Sequence, residues 1–152
     1  MYSKEETRLV KHEFWNSFSV MMRKYSLKYG TVNWSNYKTK IKDLYFRLDF
    51  TENYATFSIE LQHPESIRGL FYEQFIELKV LLEKSLEEKL IWEEEHVNVH
   101  KNTISRIYIS LPHVSIYNKE DWQKTQNFME KKITQMHIFW LDYRELFKNL
   151  ES

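Results

Sequence analysis

Between residues 44 and 61 the apolar side chains fall at every second position. Leu44, Phe46, Leu48 and Phe50 alternate with Tyr45, Arg47 and Asp49, and Ala55, Phe57, Ile59 and Leu61 alternate with Thr56, Ser58 and Glu60. Neighbouring strand residues point to opposite faces, so each run buries one face and wets the other. Glu52-Asn53 stands between the runs as a two-residue turn. Residues 41–62 therefore read as an antiparallel hairpin with one apolar face. A lone hairpin is marginal in water, so the rest of the chain must cover that face.

The flanking segments have the period of helices. Ser3-Lys4-Glu5-Glu6 has the form of a capping box, and Val10, Phe14, Phe18, Met21 and Tyr25 follow at spacings of three and four. A first helix is expected from about Lys4 to about Tyr29, with Gly30 as its stop. Pro64 suits a first helical position, and Ile67, Phe71, Phe75, Leu78 and Leu82 carry a second helix to about Lys89. Gly69 inside that helix disfavours it by about 1 kcal/mol, which implies close packing there. Val97, Val99, Ile107, Ile109 and Leu111 mark a second hairpin around Lys101-Asn102-Thr103, ended by Pro112. Asn118 to Asp121 looks like a helix start. From there Trp122, Met129, Met136, Trp140, Tyr143, Phe147 and Leu150 line one side of a long third helix, with Phe128, Ile133 and Phe139 off that line. The order is α-β-β-α-β-β-α. It implies a single α+β domain over residues 1–152, with a mostly antiparallel sheet of two hairpins packed against long helices.

Composition removes several classes of function. There is no cysteine, so disulfides, thiolate metal sites and a Cys nucleophile are excluded. With only Gly30 and Gly69, no phosphate-binding glycine loop can form. No apolar run approaches the roughly 20 residues of a membrane span, and the first fifteen residues carry charges where a signal peptide is apolar. A cytoplasmic protein with no membrane partner is expected. Nothing in the sequence calls for a cofactor. Net charge is zero but uneven: residues 1–48 hold 10 basic and 4 acidic side chains, and residues 49–100 hold 4 basic and 12 acidic. A polarised chain can attract an acidic partner or a copy of itself. The apolar residues on more than one side of the third helix point the same way, towards a homodimer.

The first hairpin carries the only arrangement that resembles a catalytic one. An Asp followed by Glu-x-Lys or Glu-x-Gln marks many metal-dependent nucleases. The apolar pattern pairs Leu48 with Phe57 and Phe46 with Ile59, which sets Asp49 opposite Thr56. Glu60 then lies about 13 Å further along, too far to share a metal with Asp49. Asp43 falls opposite Gln62 and diagonal to Glu60, so Asp43, Glu60 and Gln62 could meet on one face. This has the outline of the restriction-endonuclease-like fold, with Gln62 where a lysine is usual and Thr31 to Trp34 as the only material for a further strand. The plainer account is an exposed ladder, with Tyr45 opposite Glu60 and Arg47 paired diagonally with Glu60.

Other patterns are weaker. His96 and His100 alternate with valines, as on a strand, which puts them about 13 Å apart along one face rather than on one zinc ion. Ser35-Asn36-Tyr37-Lys38 matches Ser-x-x-Lys without the accompanying signatures of that class. Lys38, Lys40 and Lys42, interleaved with Tyr37 and followed by Arg47, are the candidate contacts for a nucleic-acid backbone. They are more commonly what protects a strand edge from pairing.

Ser3-Lys4-Glu5-Glu6 followed by Phe14-Trp15, the run Tyr37-x-Thr39-x-Ile41-Lys42, Arg68 with Glu73-Gln74, Ser105-Arg106-Ile107, and Asp121-Trp122 with Phe139-Trp140 resemble the bacterial domain of unknown function 4268 over nearly the whole chain. In that family the domain stands alone or at the C-terminal end of longer proteins whose front part looks nuclease-like. The resemblance implies an accessory role near nucleic acid, in a defence system or beside a nuclease-like partner protein. It carries no catalytic residues with it. The expectation is a non-enzymatic, self-associating interaction domain, with a divergent metal-dependent nuclease on Asp43, Glu60 and Gln62 as the alternative.

Overall fold

Ser3 begins the first helix as its sequence requires. In the computed structural model, which describes residues 1–151, the Ser3 hydroxyl accepts from the Glu6 N–H at 3.0 Å and the Glu6 carboxylate accepts from the Ser3 N–H at 3.0 Å. These bonds satisfy donors that every helix start leaves open. The helix is not continuous to Tyr29. α1 spans Lys4–Met22, a tighter 3-10 turn follows over Arg23–Tyr25, and a short α2 covers Ser26–Tyr29 before Gly30 at φ 74°. Beyond this break Tyr25 reaches Glu130 on the last helix and, with Tyr29, sets its ring against Trp34.

The hairpin has the register that its alternation dictates. β1 (Leu44–Phe50) pairs antiparallel with β2 (Tyr54–Leu61), Leu48 facing Phe57 and Phe46 facing Ile59. The connection has three residues, Thr51 to Asn53, where two were expected. The Thr51 hydroxyl accepts from the N–H groups of both Asn53 and Tyr54 and so uses the extra residue. Residues 31–34 add no strand; Trp34–Asn36 is a 3-10 turn capped by Asn33.

The second helix also divides. α3 covers Glu65–Glu77 and α4 covers Lys79–Leu86, with Leu78 outside helical geometry between them. The Pro64 carbonyl accepts from the Arg68 N–H, so proline precedes the first helical residue instead of occupying it. α4 stops before Lys89 because Glu87 turns left-handed at φ 57°. Gly69 is not closely packed: a Cβ added there would meet nothing within 4 Å. β3 (Ile91–Val97) and β4 (Thr103–Pro112) form the second hairpin, with Val99 in the turn and 91% exposed. α5 spans Trp122–Lys148.

One four-stranded antiparallel sheet results, in the order β1-β2-β4-β3. Its inner face carries Leu44, Phe46, Phe50, Phe57, Ile59, Leu61 and Ile107, all buried, with Leu48 half-buried against the same core. Phe14 and Phe18 of α1, Phe71 and Phe75 of α3, Leu82 of α4 and a broad side of α5 complete that core. Helices thus cover one face of the sheet. The second face carries the polar half of every alternating pair, and that half holds the candidate site. No helix is long and apolar enough to cross a membrane among the described residues.

Candidate interaction face

On the outer face the pairing sets Ser58 between Arg47 and Tyr108, and Glu60 between Tyr45 and Arg106. Two arginines lie over the rings of neighbouring tyrosines. The Arg47 guanidinium is 4.5 Å from the Tyr45 ring centre, and that of Arg106 is 4.0 Å from the Tyr108 ring centre. Each arginine also meets a carboxylate: Arg47 Nε is 3.1 Å from Glu60 Oε1, and Arg106 Nε is 2.6 Å from Glu93 Oε1. His96 Nδ1 stands 3.7 Å from the same Glu93 oxygen. A planar guanidinium can stack and pair at once, so these side chains are held before any partner arrives.

A bulge between Glu93 and His96 shifts the register of β3 against β4. Such a bulge bends the strand and deepens its twist. Beyond it the five-residue turn closes on Asn98, whose side chain accepts from the N–H groups of His100 and Asn102. His96, Asn98, Val99 and His100 then wall a cavity of about 390 Å3, floored by Arg47, Glu60, Gln62, Ile104 and Arg106. A second, of about 290 Å3, adjoins it over Thr56, Ser58 and Tyr108. Ile104 is buried here, outside the main core.

Glu60 is fully engaged. Its carboxylate accepts from Arg47, from Gln62 Nε2 at 3.1 Å and from the Ser58 hydroxyl at 3.4 Å. Asp43 does not join them. It sits at φ 65°, gives only its backbone carbonyl to the Gln62 N–H at 2.8 Å, and lines a separate cavity of about 430 Å3 with Lys42, His63, Phe71 and Glu151. The left-handed turn at Asp43 takes this residue off the pleat of β1, so strand parity no longer governs where it faces. Glu60 and Gln62 therefore touch, while Asp43 stands apart. Among the described residues no three His, Asp or Glu side chains are grouped to hold a metal ion.

The basic residues expected to act as a row are also divided. Lys38 and Lys40 line a cavity with Arg144 of α5, Lys42 belongs to the Asp43 cavity, and Arg47 is on the outer face. Ser35 donates its hydroxyl to Asn33 Oδ1 at 3.3 Å, serving the local turn. The sequence reading passed over Arg106 and Tyr108. The alternation of Ile107, Ile109 and Leu111 already gives both of them the parity of the wet face. His96 and Glu93 lie across the bulge, where parity breaks.

A family model described as "Domain of unknown function (DUF4268)" matches residues 10–144 of the 152. The comparison with curated proteins gives no match, and neither does the comparison with solved structures.

Proposed function

We propose that this chain, which belongs to the DUF4268 family, is a non-enzymatic interaction domain that pairs with a second copy of itself through the open face of its sheet. The observation that carries this reading is the make-up of that face: two arginine–tyrosine stacks interleaved with Asp49, Glu60 and Glu93. A two-fold interface presents the same patch from both partners, so a patch holding both signs of charge can satisfy itself. Tyrosine and arginine are also the side chains that most often dominate protein interfaces. For a nucleic acid the face is poorly suited, because both arginines already pair with carboxylates and Asp49 adds charge of the wrong sign.

The third helix of the sequence reading is the weaker surface for pairing. Ile133 and Phe139, which lie off its main apolar line, are buried in the same core as Met129, Met136 and Trp140. α5 has committed both lines of side chains to its own fold. The resemblance described above supports the setting of this reading: an accessory domain in the cytoplasm, working beside a nuclease-like protein in a nucleic-acid or defence system.

Light scattering over a micromolar concentration series at moderate salt tests the pairing. The expected mass rises towards that of a dimer, and Arg106→Glu, which reverses one charge of the face, holds it at the monomer. A wild type that stays monomeric throughout the series refutes the pairing.

A further inference from the structure

Tyr37 and Thr39 are buried while Lys38 and Lys40 between and beyond them are exposed. Two hydrogen bonds fasten this segment to α5: the Tyr37 hydroxyl meets His137 Nδ1 at 2.6 Å, and Trp140 Nε1 donates to the Thr39 carbonyl at 3.2 Å. Lys40 is held at φ 65°, a conformation that side chains other than glycine take rarely and at a cost. The fastening brings both lysines to Arg144, one helical turn beyond Trp140 on α5. Together with Asn33, Tyr37 and His137 these three cations line a cavity of about 280 Å3.

No carboxylate lines it. Lys38, Lys40 and Arg144 make no ion pair among the described residues, whereas most arginines of this chain do. The Arg144 charge acts on the Tyr37 and His137 groups of the wall, opposing protonation of His137 and favouring loss of the Tyr37 proton. Three like charges around one cavity repel each other, and a bound anion relieves that repulsion. The volume lies at the small end of ligand sites, enough for one charged head and little else.

We propose that this cavity binds the phosphate group of a phosphomonoester, with the planar guanidinium of Arg144 taking two oxygens and Lys38 and Lys40 serving as point charges. Three cations match a doubly charged phosphate, and the exposed lysines leave an open side for the rest of the ester. The ester comes either from a small molecule such as a nucleoside monophosphate or from the phosphorylated end of a nucleic-acid strand. The site is distinct from the pairing face and does not depend on it.

Calorimetric titration at low salt with inorganic phosphate and with adenosine 5′-monophosphate tests the proposal. Saturable binding is expected, weakened about tenfold or more in Arg144→Gln and in Lys40→Gln, and unchanged in Arg47→Gln on the other face. Lys38→Gln, at an exposed position, gives the same reading should Arg144→Gln fail to fold. A 5′-phosphorylated oligonucleotide that displaces the monophosphate, while its 5′-hydroxyl counterpart does not, places the ester on a nucleic-acid end. Failure of both to displace it places the ester on a small molecule. Displacement by the two alike overturns the monoester assignment in favour of backbone phosphates. Absence of saturable binding by phosphate and monophosphate, or equal binding in the variants, overturns the site itself.

Discussion

The Tyr37 hydroxyl and Nδ1 of His137 are hydrogen-bonded across 2.6 Å, tying the segment before β1 to the middle of α5. The two environments set the charge state of both partners. Burial pushes the Tyr37 phenol up to about 12, so it keeps its proton. Burial first and the Arg144 charge second hold His137 below its ordinary 6.5, so the ring is neutral near pH 7 and, with its proton on Nε2, Nδ1 accepts from the phenol. The rings of Tyr29, at 4.8 Å, and Trp34, at 5.2 Å, pack edge-on against the imidazole.

Stability should therefore fall on mild acidification. His63 is likewise held below 6.5, mainly by burial, with the Asp43 charge opposing the shift. In the unfolded chain both histidines take up protons near pH 6.5, while in the folded protein they do so only at lower pH. The unfolded state then binds more protons, so this contribution is complete above about pH 6.5 and is lost as pH falls towards the folded values. The lowered carboxyl of Glu130 adds a separate loss below its ordinary 4.5. We expect Tm in a phosphate-free buffer to drop between about pH 7.5 and pH 5.5, and the drop to shrink in a His63→Phe, His137→Gln double variant. A Tm constant across that range would refute the assignment.

His63 also offers a stabilising substitution. It is buried and stacked on Phe71 at 4.3 Å and 17°, and neither ring nitrogen makes a well-formed hydrogen bond, although the Lys42 backbone lies close enough to favour the charged ring. An unsatisfied buried polar group costs about 1–3 kcal/mol, whereas a shape-matched apolar ring keeps the stack without that cost. His63→Phe should raise Tm. Thermal unfolding at pH 7.5 decides it, and a clear fall in Tm would mean that the imidazole has a hydrogen-bond partner in solution.

Lys132 is an opposite case, a buried cation that finishes a helix. It is 2% exposed, donates Nζ–H to the Leu86 carbonyl at 2.6 Å, and lies 3.6 Å from Glu88. α4 ends at Leu86, whose carbonyl has lost its helical partner, and a cation there also meets the negative end of the helix dipole. Lys132→Met keeps the packing volume and leaves that carbonyl unsatisfied. The expected loss is about 1–3 kcal/mol in chemical denaturation. A loss within the error of the measurement would show that water replaces the ammonium.

How much of this was legible in the sequence depends on whether a signal is local. The β1–β2 register could be read because a shift of one residue would move Phe46, Leu48, Phe57 and Ile59 to the wet face together. The diagonal between Arg47 and Glu60 followed from that register. The breaks after Met22 and at Leu78 left no trace, since neither glycine nor proline marks them and the apolar spacing runs through. The lysines looked like one row because strand parity was carried back to residue 38. Left-handed turns at Lys40 and Asp43 cancel that parity and send Lys38 and Lys40 one way, Lys42 and Asp43 another. Arg144 lines the same cavity as Lys40 from more than 100 residues along the chain, and no spacing rule connects them.

The polar face of the first hairpin gives the last prediction. Glu60 holds Arg47 at 3.1 Å and also accepts from Gln62 and Ser58, so three of the carboxylate's roughly four acceptor sites are already taken by neighbours on the sheet. Arg47 is about half exposed and already rests on Tyr45, so water and the ring hold it when the pair is lost. Glu60→Gln should therefore cost less than about 1 kcal/mol in chemical denaturation, the range of an exposed pair. It should leave the proposed pairing intact as well, because Gln can still accept from Arg47. The same titrations with Mn2+ separate this ladder from a nuclease centre, whose hydrolysis of a phosphodiester needs a metal to polarise the phosphate and activate water. No saturable heat is expected in the wild type. A single Mn2+ site that disappears in both Asp43→Asn and Glu60→Gln would require the Asp43 turn to swing towards Glu60, and would replace the interaction reading with a catalytic one.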